Sequence, residues 1–312
     1  MISPSSSSSL LWAHIAEHLA QVCPQGFTLN TGQDGVRRLS GGDINESFCL
    51  SGIDDCALTV RYFVKLNQAV LLDMFEQEAC ALNTMAMTQT IAVPKVLGVG
   101  QFEQYSYLLL EYVEIVSAEQ RGHLLDAKLG HDLATLHLCQ SPNGQFGFAQ
   151  SNYIGTTVQP NDWHHDWGIF FAEHRLGFQL ELLLKRYRQP WLVELANQLD
   201  TVASRLNEHA VKPALVHGDL WQGNYGYMRG GRPVIYDPAA YYGDAEVDLA
   251  MMQLFGRPSD EFFAAYRQVN PLPAGVDARR DIYNLYHLFN HANLFGSSYL
   301  PQAQAIAYKL LG

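Results

Sequence analysis

One stretch decides the fold of this chain: His217-Gly218-Asp219-Leu220-Trp221-Gln222-Gly223-Asn224, with Asp237 on an apolar run further along. It provides a carboxylate, an amide five positions later and a second carboxylate. The first carboxylate can accept a proton from an attacking hydroxyl group. Amide and carboxylate oxygens are ligands that magnesium prefers. The pattern therefore predicts Asp219 as a general base and Asn224 and Asp237 as metal ligands, in a site for phosphoryl transfer.

The same spacing occurs in protein kinases, where a catalytic Asp precedes an Asn by five positions and a metal-binding Asp follows. Here the loop opens with His-Gly-Asp, and Asp237 lies in Tyr-Asp-Pro rather than in Asp-Phe-Gly. These departures favour a small-molecule kinase of the same fold. We interpret His217 as a structural hydrogen-bonding residue of the loop, and Asp248 as a brace of the loop or a helix cap.

Composition limits the classes of partner that fit this chain. It has 312 residues, 48% of them hydrophobic, which suits two domains with sizeable cores. Its formal charge is −11, and no run of Lys or Arg exceeds two residues. Neither nucleic acid nor a membrane is therefore expected as a partner, since both attract clustered positive charge. Five cysteines without a Cys-x-x-Cys pair favour a reducing, cytoplasmic location, and the oligomeric state is left open.

Hydrophobic periodicity divides the chain into a mixed part and a helical part. The first part reads as a leading helix, a turn-rich segment, and strands on either side of a second helix. The elements predicted are a helix over 10–19, a turn over 32–39, strands over 48–50 and 57–66, a helix over 74–87, and strands over 93–96 and 107–112. Helices predominate afterwards, over 125–138, 167–187, 191–209, 260–269 and 279–295, with two short strands within 215–237.

This order predicts an α+β, bilobal, protein-kinase-like fold with a small antiparallel-sheet N-lobe and a mainly helical C-lobe. Three segments are predicted. Residues 1–9 are a disordered serine-rich lead-in, 10–112 the nucleotide-binding N-lobe, and 113–312 the catalytic and substrate-binding C-lobe.

Two features of the predicted N-lobe suit a nucleotide. Gly41 and Gly42 form a turn whose N–H groups could approach phosphates, although such a pair is also an ordinary hairpin turn. Lys65 lies in an apolar strand, where its charge needs a partner. Glu78, beside the apolar stripe of the following helix, is the predicted partner, and Glu76 is assigned to the solvated face. The alternative for Lys65 is a solvated edge strand.

The apolar strand that ends near the crossover offers a second nucleotide contact. Backbone groups of Glu111 and Val113 could bind an adenine edge. A buried strand that simply ends at the surface explains the same side chains.

The sequence resembles the fructosamine kinase, or ketosamine-3-kinase, family, and particularly its bacterial members. The resemblance runs from about residue 39 to 295. The motifs that carry it are Gly-Gly-Asp-Ile-Asn (41–45), Phe-Val-Lys (63–65), Phe-Glu-Gln-Glu-Ala (75–79), Val-Pro-Lys-Val (93–96), Asn161-x-Trp163, Trp167-x-x-Phe170-Phe171 with Arg175, the 217–224 stretch, Asp-Pro-Ala (237–239) and the 242–250 segment.

The resemblance implies an enzyme that uses ATP with magnesium to phosphorylate the 3-hydroxyl of a ketosamine, either a fructosamine or a ribulosamine. The phosphorylated adduct is then unstable, which would reverse protein glycation. The residue roles that it implies are phosphate binding by Lys65 and Glu78, proton acceptance by Asp219, and metal binding by Asn224 and Asp237.

Trp221 would face the sugar according to the same resemblance. An indole is a flat apolar platform that suits the C–H face of a sugar, whereas packing within the protein is the alternative for this side chain. Some family members carry a Cys in the glycine turn. The residue here is Asp43, which argues against thiol regulation at that turn.

Two other functions are weighed against a ketosamine kinase. One is a kinase of another small hydroxyl substrate, such as an aminoglycoside, choline or a sugar. The other is a catalytically silent ATP-binding module. Turnover of ATP with a fructosamine would separate the three.

Overall fold

The computed structural model describes residues 6–31, 35–40, 44–116 and 123–311. The predicted glycine turn, Gly41 and Gly42, lies outside the described residues. The chain forms two compact units. The first comprises Met1–Thr84 and Val93–Glu114, and the second comprises Met85–Ala92 and Ile115–Gly312. The predicted domains were continuous in sequence, whereas residues 85–92 group with the second unit.

The first unit contains a six-stranded antiparallel sheet in the order β1-β3-β4-β6-β5, with β2 also paired to β3. Its strands are β1 (Thr28–Leu29), β2 (Val36–Leu39), β3 (Glu46–Ile53), β4 (Thr59–Gln68), β5 (Val96–Phe102) and β6 (Tyr105–Glu111). Its helices are α1 (Ser6–Val22) and α2 (Leu72–Thr88), of which α2 continues into the second unit.

Helix α1 covers the sheet because its apolar residues recur on one face. Leu11, Ile15 and Leu19 are fully buried, and their spacing of four keeps them on one stripe of the helix. They pack against side chains of β3, β4 and β6. The predicted disorder over 1–9 is wrong for Ser6–Ser9, which form the start of α1. Residues 1–5 lie outside the described residues.

One strand prediction and one turn prediction of the first unit need correction. The segment 93–96 is not a strand along its length; β5 begins at Val96, because Pro94 lacks the N–H group that a sheet ladder uses. The segment 32–39 is not a turn throughout, since Val36–Leu39 form β2 and pair with β3. Local composition predicts turns there, but a neighbouring strand supplies the hydrogen bonds.

Among its described residues, the second unit is mainly helical, with three short antiparallel strand pairs. The helices are α3 (His123–Leu136), α4 (Trp167–Phe170), α5 (Phe178–Arg186), α6 (Pro190–Ala196), α7 (Leu199–Leu206), α8 (Glu246–Leu254), α9 (Asp260–Val269), α10 (Val276–Phe295) and α11 (Leu300–Leu311). The strand pairs are β7 (Asn152–Ile154) with β8 (Thr157–Gln159), β9 (Ala214–Val216) with β12 (Tyr241–Gly243), and β10 (Tyr225–Tyr227) with β11 (Pro233–Ile235).

The predicted helices of this unit are present, with differences in their interruptions. The helix over 167–187 contains a π-helical segment, Phe171–Gly177, between α4 and α5. The helix over 191–209 is divided into α6 and α7. The region 215–237 contains three strands rather than two, and Asp237 follows β11 instead of lying on it. Helix α11 and the β7–β8 hairpin were not predicted.

The predicted α+β class, with an antiparallel sheet first and a mainly helical part second, is confirmed. Within the described ranges, no helix is both long enough and apolar enough to span a bilayer.

Candidate active site

The predicted ion pair of the first unit is present. Lys65 lies on β4, which is flanked by β3 and β6, so the edge-strand alternative is wrong. Its Nζ lies 2.7 Å from Oε1 of Glu78 on α2, and both side chains are largely buried. Glu76, which Gln77 separates from Glu78 in the chain, is exposed, as predicted. A buried lysine is therefore stabilised by a specific carboxylate.

The predicted adenine contacts lie at the end of β6. The N–H of Glu111 donates to the carbonyl of Lys95 at 2.9 Å, so this group is already used. The side chain of Glu111 is exposed, and Val113 follows the strand partly buried. Adenine binding by these two residues stays a prediction.

The loop of residues 217–224 connects β9 to β10 and is held from beneath by one carboxylate. Asp248, the third residue of α8, accepts the N–H of His217 at 2.7 Å and that of Gly218 at 2.8 Å. His137 Nε2 lies 3.0 Å from the same carboxylate, which is fully buried. The pKa of Asp248 is lowered overall. Burial raises it, but the hydrogen bond and charge of His137, together with the contacts to His217, lower it by more. The brace interpretation is confirmed.

His217 ties this loop to the segment that carries Asp237. Its Nε2 donates to the carbonyl of Tyr236 at 2.9 Å, and its Nδ1 accepts the N–H of Asp219 at 3.3 Å. Acceptance by Nδ1 requires a neutral ring, and burial lowers the pKa of His217 accordingly. The structural interpretation of this histidine is therefore confirmed.

Gly218 permits a close approach that no other residue would allow. Its φ is +82°, and a Cβ there would collide with the carbonyl oxygen of Ala239. The N–H of Ala239 in turn donates to the carbonyl of His217 at 2.9 Å. The loop and the segment after Asp237 are thus in direct backbone contact.

Asn224 fixes the position of the predicted base. Its Nδ2 donates to the carbonyl of Asp219 at 2.8 Å and to the carboxylate at 3.3 Å. With the nitrogen turned toward Asp219, Oδ1 is the atom that can bind a cation. Burial, followed by the charges of Asp237 and Asp248, raises the pKa of Asp219 to about 7.

Asp237 adopts a backbone conformation that the sequence does not show. Its φ is +59°, which costs a non-glycine residue roughly 1–3 kcal/mol and persists only where the surroundings enforce it. Its side chain is exposed, and its charge helps to raise the pKa of Asp219. The Asp237 carboxylate and the Asn224 amide oxygen are hard-cation donors, and the raised pKa of Asp219 marks negative charge that a cation would offset. The site therefore fits magnesium.

Trp221 lies on the surface of the same loop. Its side chain is 39% exposed, and its ring covers Gly223, where a Cβ would collide with the indole. The exposure leaves ring surface that a ligand can cover. Its sugar contact stays a prediction.

A buried polar cluster beside these segments was not predicted from the sequence. It comprises Asn152, Gln159, Asn161, Arg175 and Tyr286. Asn161 and Arg175 appeared only as family markers, and Asn152 and Gln159 not at all. The available signal was the concentration of amides, Asn-x₆-Gln-x-Asn over 152–161, which is unusual for a β-hairpin.

Comparison with known proteins places the chain in a family. The model of the family described as fructosamine kinase matches residues 11–312. This chain belongs to the fructosamine kinase family. The match includes every predicted site residue. The resemblance drawn from the sequence motifs is confirmed.

Individual relatives of known name or structure agree with this family assignment. A protein of Synechocystis, named a probable ketoamine kinase, is 42% identical over 303 residues, covering 96% of this chain and 97% of its own. The chloroplastic protein-ribulosamine 3-kinase of Arabidopsis thaliana is 40% identical over 247 residues, covering 78% and 74%. A solved structure from Haemophilus somnus, provisionally named a fructosamine-3-kinase, has a TM-score of 0.83 at 28% identity, covering 96% and 98%.

More distant structures show the fold alone. An aminoglycoside phosphotransferase has a TM-score of 0.63 at 14% identity, covering 98% of both chains. A choline kinase of Streptococcus pneumoniae has a TM-score of 0.61 at 14% identity, covering 98% and 99%. The predicted protein-kinase-like fold of this fructosamine kinase family member is confirmed. The roles of individual residues and the cytoplasmic location stay predictions.

Proposed function

We propose that this protein is an ATP-dependent ketosamine kinase that phosphorylates the 3-hydroxyl of a fructosamine or ribulosamine, a step in protein deglycation. Relatives named ketoamine kinase and protein-ribulosamine 3-kinase, at about 40% identity over most of the chain, support this substrate class. The observation that carries the chemistry is the Asp219 carboxylate, which accepts a hydrogen bond from Asn224 and whose pKa burial and the charge of Asp237 raise.

Asp219 would act as the base. As the substrate hydroxyl oxygen bonds to the transferred phosphorus, its proton passes to the Asp219 carboxylate and the bond to the leaving oxygen of ADP breaks. Burial, the largest cause of the raised pKa of Asp219, would make this carboxylate a stronger base than an ordinary aspartate. Asn224, through its Nδ2, would keep the carboxylate oriented toward the hydroxyl throughout.

The nucleotide would be held by residues from two parts of the sequence. Asn224 Oδ1 and Asp237 would bind magnesium, which when bound offsets the negative charge of the phosphates. Lys65, oriented by Glu78, would contact the α- and β-phosphates. Trp221 would provide the apolar face for the sugar ring.

Phosphate transfer tests this proposal directly. The purified protein with ATP and magnesium would be given fructosyl-lysine, ribulosyl-lysine, kanamycin and choline separately, and ADP formation and ³¹P spectra would be followed. We expect a ketosamine 3-phosphate from at least one of the first two, formed at least ~10²-fold more slowly by the Asp219→Asn variant. Phosphate transfer only to kanamycin or choline would show that the substrate is an aminoglycoside or choline rather than a ketosamine. Nucleotide binding without any transfer would indicate a silent module.

A further inference from the structure

The segment between β11 and β12 depends on side chains for its hydrogen bonds. Ala239 and Ala240 lie outside the strands, and both of their carbonyl oxygens accept from side-chain amides. Gln159 Nε2 donates to Ala239 at 3.0 Å, and Asn152 Nδ2 donates to Ala240 at 2.7 Å. Both amides are at least 97% buried. Because buried carbonyls need partners, these amides replace the missing strand neighbour.

The two amides are themselves fixed in orientation. Asn152 Oδ1 accepts from Gln159 Nε2 at 2.8 Å and from Asn161 Nδ2 at 2.9 Å. The hydroxyl of Tyr286 donates to Gln159 Oε1 at 2.6 Å. Both N–H groups of Gln159 therefore have acceptors, and its oxygen has a donor. An amide satisfied in this way has one allowed orientation, so the network is rigid.

Arg175 closes the cluster from the π-helical segment. It donates to Asn161 Oδ1 and to the carbonyl of Pro160, each at 2.6 Å, and its guanidinium carbon lies 4.0 Å from the ring centre of Tyr241. The side chain is fully buried. A buried cation among amides is costly compared with an apolar core, and networks of this kind specify one arrangement rather than add stability.

The arrangement that this cluster specifies includes the predicted metal ligand. Ala239, held by Gln159, also donates its N–H to His217 at the start of the 217–224 loop. Tyr236, on the other side of Asp237, accepts from the ring of His217. Asp237 thus lies between two anchored residues, in a left-handed conformation that needs external support.

We infer that the cluster of Asn152, Gln159, Asn161, Arg175 and Tyr286 positions the Asp237 carboxylate for the metal, with Gln159 as the central positioning residue. This inference rests on the metal-binding role that the proposed function gives to Asp237. It adds a set of residues, far from Asp237 in sequence, that act on the metal through the backbone of Ala239 and Ala240.

The test replaces Gln159 by Met, which keeps the size of the side chain and removes its hydrogen bonds. Calorimetry with magnesium and a non-hydrolysable ATP analogue, and turnover at varied magnesium concentration, are measured on the intact protein. Loss of partners that orient a metal ligand typically lowers metal affinity by about 10–100-fold. We expect the magnesium concentration for half-maximal turnover to rise by about that factor.

Tyr286→Phe and Tyr283→Phe form a matched pair on α10. Each removes one buried hydroxyl, but Tyr283 donates to Asp244 at 2.7 Å and not to Gln159. We expect Tyr286→Phe to weaken magnesium binding and Tyr283→Phe to leave it unchanged. Hydrogen exchange of the metal-free protein provides a second readout, since residues 236–241 should exchange faster in Gln159→Met and Tyr286→Phe than in Tyr283→Phe.

The outcomes separate this inference from the proposed function. If Asp237→Ala loses magnesium-dependent nucleotide binding while Gln159→Met and Tyr286→Phe retain it at wild-type affinity, the positioning role is wrong and the metal site stands. If the wild type binds the magnesium–nucleotide complex but phosphorylates no ketosamine, the proposed substrate is wrong, and calorimetry still tests the positioning role. Should Gln159→Met fail to fold, the tyrosine pair decides.

Discussion

The Lys65–Glu78 pair and the Asp219–Asn224–Asp237 group are built in opposite ways. Lys65 lies on a strand paired on both sides, and Glu78 lies on a regular helix, so ordinary backbone hydrogen bonds place both. The second group lies on irregular backbone. There, a carboxylate from α8, a histidine ring and buried amides supply the hydrogen bonds.

This difference decides how far the effect of a substitution should spread. Removing a side chain from a regular element takes away one interaction and leaves the backbone in place. Removing a side chain that hydrogen-bonds to the irregular segments leaves buried backbone groups without partners. Several functional side chains should then lose their positions together.

The largest effect is expected from Asp237→Ala. It removes a carboxylate predicted to bind magnesium, so turnover should be abolished and magnesium-dependent nucleotide binding weakened. Calorimetry and phosphate transfer measure the two effects. Asp260→Ala, at a carboxylate that is 86% exposed and paired with Arg257 on the surface, is the control and should behave as wild type. Unchanged magnesium-dependent binding in Asp237→Ala would remove this residue from the metal site.

Asp219→Asn should have the second-largest effect on turnover. The variant keeps the shape of the side chain and loses proton acceptance, so turnover should fall by at least ~10²-fold, the low end for general-base catalysis. Nucleotide affinity should change little, because the charge removed is not predicted to contact the metal. A variant that turns over near the wild-type rate would show that another group is the base.

Asp248→Asn tests the brace of the irregular region. Loss of hydrogen bonds to a buried charge should lower the free energy of unfolding by about 3 kcal/mol at pH 7. The pKa of Asp248 is lowered in the folded protein, so its ionised form stabilises that state above the unfolded pKa, about 4. The difference from wild type should persist from pH 7 to about 4 and shrink below that range.

Urea unfolding over a pH series measures this difference. Asp277→Asn is the matched control, since that carboxylate is 85% exposed and pairs with Arg280 on the surface. A surface pair of this kind should change stability by no more than about 1 kcal/mol. An Asp248→Asn variant as stable as this control would contradict the brace.

The regular region is tested by a double-mutant cycle. Lys65→Ala and Glu78→Ala should be non-additive in kcat/KM, with an interaction free energy of roughly 1–3 kcal/mol, because the two side chains form one buried pair. Glu76→Ala combined with Lys65→Ala should be additive, since Glu76 is exposed. Strictly additive losses for Lys65 and Glu78 would mean that the pair does not act as a unit.

The smallest effect is expected at Trp221. Loss of an exposed indole that covers a sugar should raise the KM for a ketosamine about 10-fold, or roughly 1.4 kcal/mol. The KM for ATP should stay nearly constant. Steady-state kinetics with both substrates varied distinguish the two. If both constants rise together, Trp221 supports the structure of the loop rather than the substrate.

The sequence by itself determined the fold class, the family and the identity of the proposed functional groups. Helix α1 has apolar residues every fourth position, β4 carries one lysine in an apolar run, and the 217–224 stretch has a distinctive spacing. Each signal is local, because periodicity and short motifs are set by neighbours in the chain. Even the choice of Glu78 over Glu76 followed from helical spacing.

Only the tertiary structure decided what holds the irregular segments. Gln159 reaches the backbone of Ala239 from 80 positions away, and Asp248 reaches His217 from 31 positions away. The left-handed conformation of Asp237 was hidden for the same reason. In each case the deciding hydrogen bond comes from a residue distant in sequence, and no local pattern encodes where that residue will lie.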